Sequence, residues 1–143
     1  MLVLDSDHMS VLAQRGTREW ARLTHRLEQA PGEIVATTII TYEEQFRGWM
    51  AYLAKANSLT KQVAAYKRLA KHARRYRRMR LLGFHQRAAN RFQELKTARV
   101  NVGTNDLKIA SIVLTWGPNV RLLSRNLKDF DKVPGLSVED WVS

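Results

Sequence analysis

The sequence contains no cysteine. That excludes disulfide staples and every zinc site built on thiolates, and it suits a reducing cytoplasm, where the chain is expected to reside. Long apolar runs are missing too. None approaches the ~18 residues of a spanning helix, so no membrane role is expected. The opening MLVLDSDHMS carries acids where a secretory leader needs a basic and then an apolar region, so no signal peptide is expected. Internal repeats, linkers and low-complexity tracts are absent. At 143 residues the chain has the length of one ordinary domain, expected to span 1–143. A domain of that size buries roughly 70% of its unfolded surface, enough to fold without staples.

Acidic residues are scarce, and one long segment has none. The chain holds 24 Lys+Arg against 13 Asp+Glu, a net charge of +11. Between Gln45 and Gln93 there is no acid, yet 13 of the 24 basic residues lie there. The acids sit in the two flanking segments. A chain divided in this way suits a polyanionic partner on the basic part, with the acids kept for another task.

Leu2-Val3-Leu4 is a short apolar run, too short for a helix, and predicts a buried strand ending at Asp5. Two helical stretches follow. The second, about Thr17 to Gln29, has Trp20, Leu23 and Leu27 at helical spacing and stops at Pro31-Gly32. Glu33 to Thr38 is rich in β-branched residues and predicts a second strand. Thr41-Tyr42-Glu43-Glu44 has the form of a capping box opening a helix. A longer helix is expected from Ser58 to about Arg80, with an apolar stripe at Leu59, Val63, Tyr66, Ala70 and Ala73. Leu81 to Phe84 predicts a short strand or turn, and His85 to Lys96 another helix, with His85 an ordinary helix-start residue. Thr104 can cap a helix that ends at Gly117-Pro118-Asn119. Val120 to Leu123 predicts a strand, Ser124-Arg125-Asn126 a polar turn, and Ser137 to Glu139 a last strand. Alternation of this kind predicts an α/β sandwich with a mainly parallel sheet.

In an open parallel sheet, ligands bind beyond the carboxyl ends of the strands. Asp5, Glu44, Asp106, Ser124, Asn126 and Asp129 all fall where such a fold gathers residues at that edge. Clustered carboxylates repel and raise one another's pKa. A hard divalent cation such as Mg²⁺ or Mn²⁺ relieves that repulsion with a few oxygen ligands and several waters. Each residue has an ordinary reading as well. Asp5 is a favoured N-cap, Glu44 the return partner of a capping box, Asp106 a complement to a helix dipole, and Asn126 and Asp129 are common turn residues. The residues alone leave both readings open.

The segments resemble the PIN-domain ribonucleases, specifically VapC-type toxins of toxin–antitoxin pairs. The resemblance lies in Leu2-Val3-Leu4-Asp5-Ser6, in Thr41 to Gly48 with its acid at Glu44, and in Gly103 to Ala110 with its acid at Asp106. It continues through Leu122 to Phe130, Val133-Pro134-Gly135-Leu136 and Trp141. It implies a PIN-like three-layer sandwich, a Mg²⁺ or Mn²⁺ site on Asp5, Asp106 and Glu44, and endonucleolytic cleavage of RNA. It further implies a homodimer and a cognate VapB-like antitoxin that blocks the site. Asp7 departs from the pattern, standing where many relatives have Asn. Asn126 departs too, standing where some have a fourth acid, so the fourth position lies between Asn126 and Asp129. Ser124 is expected to orient phosphate or water, with Arg74, Arg75 and Arg78 of the basic helix on the RNA backbone. Tyr76 and Trp49 suit core packing or stacking on an unpaired base. Two rival functions keep the basic helix without catalysis: a nucleic-acid-binding module, and an adaptor for an acidic protein segment.

Overall fold

Three apolar residues cannot make a helix, and β1 (Leu2–Leu4) is indeed a fully buried central strand. The computed structural model describes residues 1–143. After β1 come α1 (Ser6–Ala13), α2 (Arg18–Glu28), β2 (Val35–Thr38), α3 (Ile39–Ala54), α4 (Leu59–Arg77) and β3 (Arg80–Leu82). The chain continues with α5 (Gln86–Thr97), α6 (Thr104–Leu114), β4 (Arg121–Leu123), α7 (Leu127–Phe130) and β5 (Ser137–Glu139). The five strands form one sheet in the order β3-β2-β1-β4-β5. Every pairing is parallel, so the expected mainly parallel sheet is wholly so.

Strand side chains alternate between the two faces, and each face has its own core. Val3, Ala36 and Leu122 pack with Ala88 and Leu95 of α5 and with Leu107, Ile109 and Ile112 of α6. Leu2, Leu4 and Leu123 pack with Met9 of α1, Leu23 of α2, Tyr76 of α4 and Trp141. The result is an α/β/α sandwich, the α/β layering predicted from the alternation and the three layers implied by the family resemblance. Strand order reverses direction beside β1: β2 and β3 lie on one side, and the chain returns to place β4 on the other. That switch point puts the ends of β1 and β4 at the crevice where such sheets bind ligands.

Three expectations are corrected. The capping box at Thr41 does not form. The strand β2 runs straight into α3, and Thr38 ends one and caps the other, its Oγ1 accepting the Thr41 N–H at 3.1 Å. Likewise α6 begins after Gly103 with no side-chain cap, and Thr104 is its first residue. The apolar stripe of the long helix is also rotated. Leu59, Val63 and Tyr66 are 80%, 57% and 57% exposed, and Ala70 and Ala73 are exposed with them. The buried face is Ala65, His72 and Tyr76. Both faces satisfy the helical spacing, and α3 decides between them. Its Tyr42 packs edge-on to Tyr76 at 4.9 Å and its Trp49 lies 6.0 Å from the His72 ring.

Candidate active site

Asp5 leaves β1 with its amide donated to the Leu123 carbonyl at 3.1 Å, which ties it to β4 at the switch point. Its side chain caps α1, Oδ1 accepting the His8 N–H at 3.0 Å. The cap takes one oxygen, and the other remains for a ligand. The capping reading and the site reading of Asp5 are therefore compatible.

The early start of α3 puts Glu44 in its second turn rather than its first. From there the side chain reaches across to α1, where Oε2 accepts the Ser6 hydroxyl at 3.1 Å. The other oxygen, Oε1, is buried with no hydrogen-bond partner. Burial is the largest cause raising the Glu44 pKa; Ser6 opposes it, and the charges of Asp106 and Asp5 raise it further. Asp106 follows the same logic from the first turn of α6. Burial raises its pKa, the hydrogen bond from Asn126 opposes this, and the charges of Asp5 and Asp129 add to the rise. Three chain segments thus bring Asp5, Glu44 and Asp106 within one another's fields.

The amide Nδ2 of Asn126 donates to Asp106 Oδ2 at 3.1 Å and to Asp129 Oδ2 at 3.2 Å. Asn126 therefore joins the two acids. Asp129 faces outward and is also held by Lys132 Nζ at 3.2 Å; its pKa is lowered, first by Asn126 and then by Lys132. Ser124 is fully buried, and its Oγ accepts the Asn126 N–H at 3.0 Å. Its hydroxyl shapes the turn that presents Asn126, where contact with phosphate or water was expected.

Asp5, Asp7 and His8 form an acidic group whose donor atoms lie within 4.8 Å of one another, close enough to share a metal ion. Asp7 is already engaged. Arg125 donates to it from its backbone N–H at 3.1 Å and from Nε at 2.7 Å. Burial alone would raise the Asp7 pKa, but His8 and the two Arg125 bonds outweigh it and hold the value at about 2.

The basic segment borders a cavity of about 720 Å³ between α1, α3 and α4. Arg68, Lys71 and Arg75 line it, with Trp49 and Tyr52 from α3 and Met9 and Ser10 from α1. Of the three arginines named from sequence, Arg75 lies on the cavity, while Arg74 and Arg78 are exposed and have no bond to the acidic group. Tyr76 is a core residue, 7% exposed, whose hydroxyl donates to Gln45 Oε1 at 2.7 Å.

Ser6, Gln45, His8 and Arg125 escaped the sequence reading. Gln45 Nε2 donates to the Ser6 carbonyl at 2.9 Å and to Ser10 Oγ at 3.0 Å, tying α3 to α1. Ser6 and His8 adjoin the Asp5 motif, and that proximity was the one signal available. The distances between Gln45 and α1 and between Arg125 and Asp7 exist only in the fold.

Solved structures share this architecture. Over 98% of this chain and 97% of the other, the DNA-bound VapBC of Salmonella typhimurium matches with a TM-score of 0.73 at 22% identity. VapBC-1 of nontypeable Haemophilus influenzae matches over 99% and 98% with a TM-score of 0.69 at 22% identity. A toxin–antitoxin complex of Klebsiella pneumoniae matches over 95% of each chain with a TM-score of 0.62 at 21% identity. No protein-family model matches the chain, and no curated protein does. The likeness at these identities is one of fold: the chain has the PIN-like three-layer sandwich, as its motifs led one to expect. Its structural neighbours are chains of toxin–antitoxin complexes. No helix is long and apolar enough to cross a membrane.

Proposed function

We propose that this chain is a Mg²⁺- or Mn²⁺-dependent endoribonuclease and the VapC-like toxin of a toxin–antitoxin pair. The observation that carries the reading is the buried, unpartnered Oε1 of Glu44, set among the charges of Asp106 and Asp5. A buried carboxylate oxygen without a donor is costly. A hard divalent cation satisfies it and removes the repulsion. The donor set fits such an ion: all oxygens, from three carboxylates, at the switch point of a parallel sheet.

Asp5 and Asp106 would hold the ion, with Glu44 as a third ligand directly or through water. When bound, the ion supplies activation of a water and neutralisation of charge on a phosphate. The chain's own residues do the rest. Ser6 fixes one oxygen of Glu44 and Asn126 fixes one of Asp106, so each acid keeps its second oxygen for the ion. Arg68, Lys71 and Arg75 offer phosphate contacts beside α1, which position a strand without reading its bases. The +11 charge suits a polyanionic substrate such as RNA, and a chain without cysteine suits the cytoplasm.

The proposed partners are a VapB-like antitoxin and a second copy of this chain. Leu59, Val63, Tyr66, Phe46 and Tyr52 form exposed apolar area on α3 and α4, large enough in side-chain size to suit a protein contact. Incubation of the pure protein with structured RNA, with Mg²⁺ or Mn²⁺ and with chelator, tests the activity. Cleavage that needs the metal and is lost in Asp5→Asn is the expected result. No cleavage with metal, but salt-sensitive RNA binding, would leave a binding module; neither one would leave an adaptor. Growth arrest on expression, relieved by a small co-purifying protein, tests the toxin assignment.

A further inference from the structure

We propose that His8 is a positioning residue for this acidic site and not one of its metal ligands: its Nδ1–H steadies Asp5 and Asp7 together, while Nε2 anchors the C-terminal Trp141 behind them. The inference rests on the reading of Asp5 as a metal ligand and deepens it.

His8 is completely buried. Its Nε2 lies 3.3 Å from the backbone nitrogen of Trp141, and a backbone amide can only donate. Nε2 must therefore present its lone pair, and the ring proton sits on Nδ1. That nitrogen lies 3.4 Å from Asp5 Oδ1 and 3.6 Å from Asp7 Oδ1. Both contacts are longer than an ordinary hydrogen bond and Nδ1 forms none, so its N–H acts on the two carboxylates by electrostatic attraction across that gap. Ligation through Nδ1 would move the proton to Nε2 and set it against the Trp141 N–H. Ligation and the Trp141 bond thus exclude each other. Asp7 is weakened as a ligand, because Arg125 donates to each of its oxygens and offsets its charge. Of the three residues close enough to share an ion, Asp5 is the best placed to ligate, and the other two flank it.

The geometry separates the two roles of the ring. Asparagine places an amide N–H near the position of Nδ1 and has nothing at Nε2. Glutamine can place an acceptor at Nε2 and has no donor at Nδ1. His8→Asn is therefore expected to keep its Mn²⁺ affinity and lower the melting temperature. His8→Gln should melt near the parent and bind Mn²⁺ about 10-fold or more weakly, the usual scale for losing a group that orients a ligand. Mn²⁺ affinity is read from the free-ion EPR signal during titration. His8→Gln binding within roughly 3-fold of the parent, below that scale, overturns the proposal.

The parent protein gives a test that needs no variant to fold. Nitrogen NMR at pH 8 should show Nδ1 protonated and Nε2 bare. A proton on Nε2 overturns the assignment. So does imidazole nitrogen coupling in the pulsed EPR of the Mn²⁺ complex, which would make His8 a ligand. A parent that binds no Mn²⁺ at all overturns the proposed function along with this inference. A parent that binds while His8→Gln binds equally well overturns this inference alone.

Discussion

Arg125 holds Asp7 twice, through its backbone N–H at 3.1 Å and through Nε at 2.7 Å. The pair joins the first turn of α1 to the turn after β4, two segments that carry Asp5 and Asn126. The ends of the pair are unequal in what they leave behind. Arg125→Ala removes a half-exposed ion pair and keeps the backbone bond, so it should cost about 1 kcal/mol or less. Asp7→Ala removes both bonds and their charged acceptor, so it should cost more, about 1–3 kcal/mol, the scale of hydrogen bonds to a charged group. Urea unfolding of both variants checks the order.

Glu44 is expected to trade stability for function. Its buried, unpartnered oxygen and its raised pKa mean that the ionised form is disfavoured in the metal-free fold. Glu44→Gln removes the charge while keeping an acceptor for Ser6. It should raise the melting temperature of metal-free protein by a few degrees, the scale on which about 1 kcal/mol acts in a domain of this size. The same variant should lose Mg²⁺-dependent cleavage. Calorimetry in chelator and an RNA cleavage assay separate the two effects.

The sheet edge at β5 should register acid. Glu139 accepts from Trp141 Nε1 at 2.7 Å and from Arg121 Nη1 at 3.1 Å. The Trp141 bond is the largest cause holding its pKa below the ordinary carboxylate value; burial opposes it, and Arg121 lowers it further. A depressed folded pKa adds stability above the unfolded value and loses it as pH falls through the folded one. The stability gap between parent and Glu139→Gln should therefore be level above about pH 5 and close progressively below about pH 4. Urea unfolding across that range measures it.

The face of α4 that packs inward is open to a direct test. Val63 is 57% exposed, so Val63→Ala should change stability by no more than about 0.5 kcal/mol. Ala65 is 2% exposed beneath α3, and Ala65→Leu should cost about 1–3 kcal/mol through overpacking. A chain with the face predicted from its apolar stripe would show the reverse order.

The error at α4 is explained by contrast with α6. In α6, Leu107, Ile109, Ala110, Ile112 and Val113 are all buried, and hydrophobicity that dense leaves no choice of orientation. In α4, alanines, aromatics and arginines meet the helical spacing on two faces, and local pattern cannot rank them. Glu44 is a similar case. Its sequence spacing from Thr41 fits a cap, but β2 runs into α3 without a break, and Thr38 does the capping.

Asp5 and Asp106 could be placed near one sheet edge from sequence because one follows a strand and the other opens a helix; Glu44, in the second turn of α3, comes near them through packing. Strand ends and helix starts in a parallel α/β sheet fall at one edge by topology, whatever the loops between them. The partition of oxygens among those acids was not legible. Which oxygen of Asp5 caps α1, which of Glu44 meets Ser6, and where Asn126 sends its amide depend on contacts between segments up to 38 residues apart for Ser6 and Glu44 and 118 apart for Asp7 and Arg125. The sequence by itself determined the alternation of strands and helices and the concentration of basic residues between Gln45 and Gln93. Only the tertiary structure decided that Asp7 is bound by Arg125, that His8 is buried between Asp5 and Trp141, and that Glu44 keeps one oxygen buried and bare. Local spacing carries helix and strand period; hydrogen-bond partners across the sheet are chosen by packing, which no short window of sequence contains.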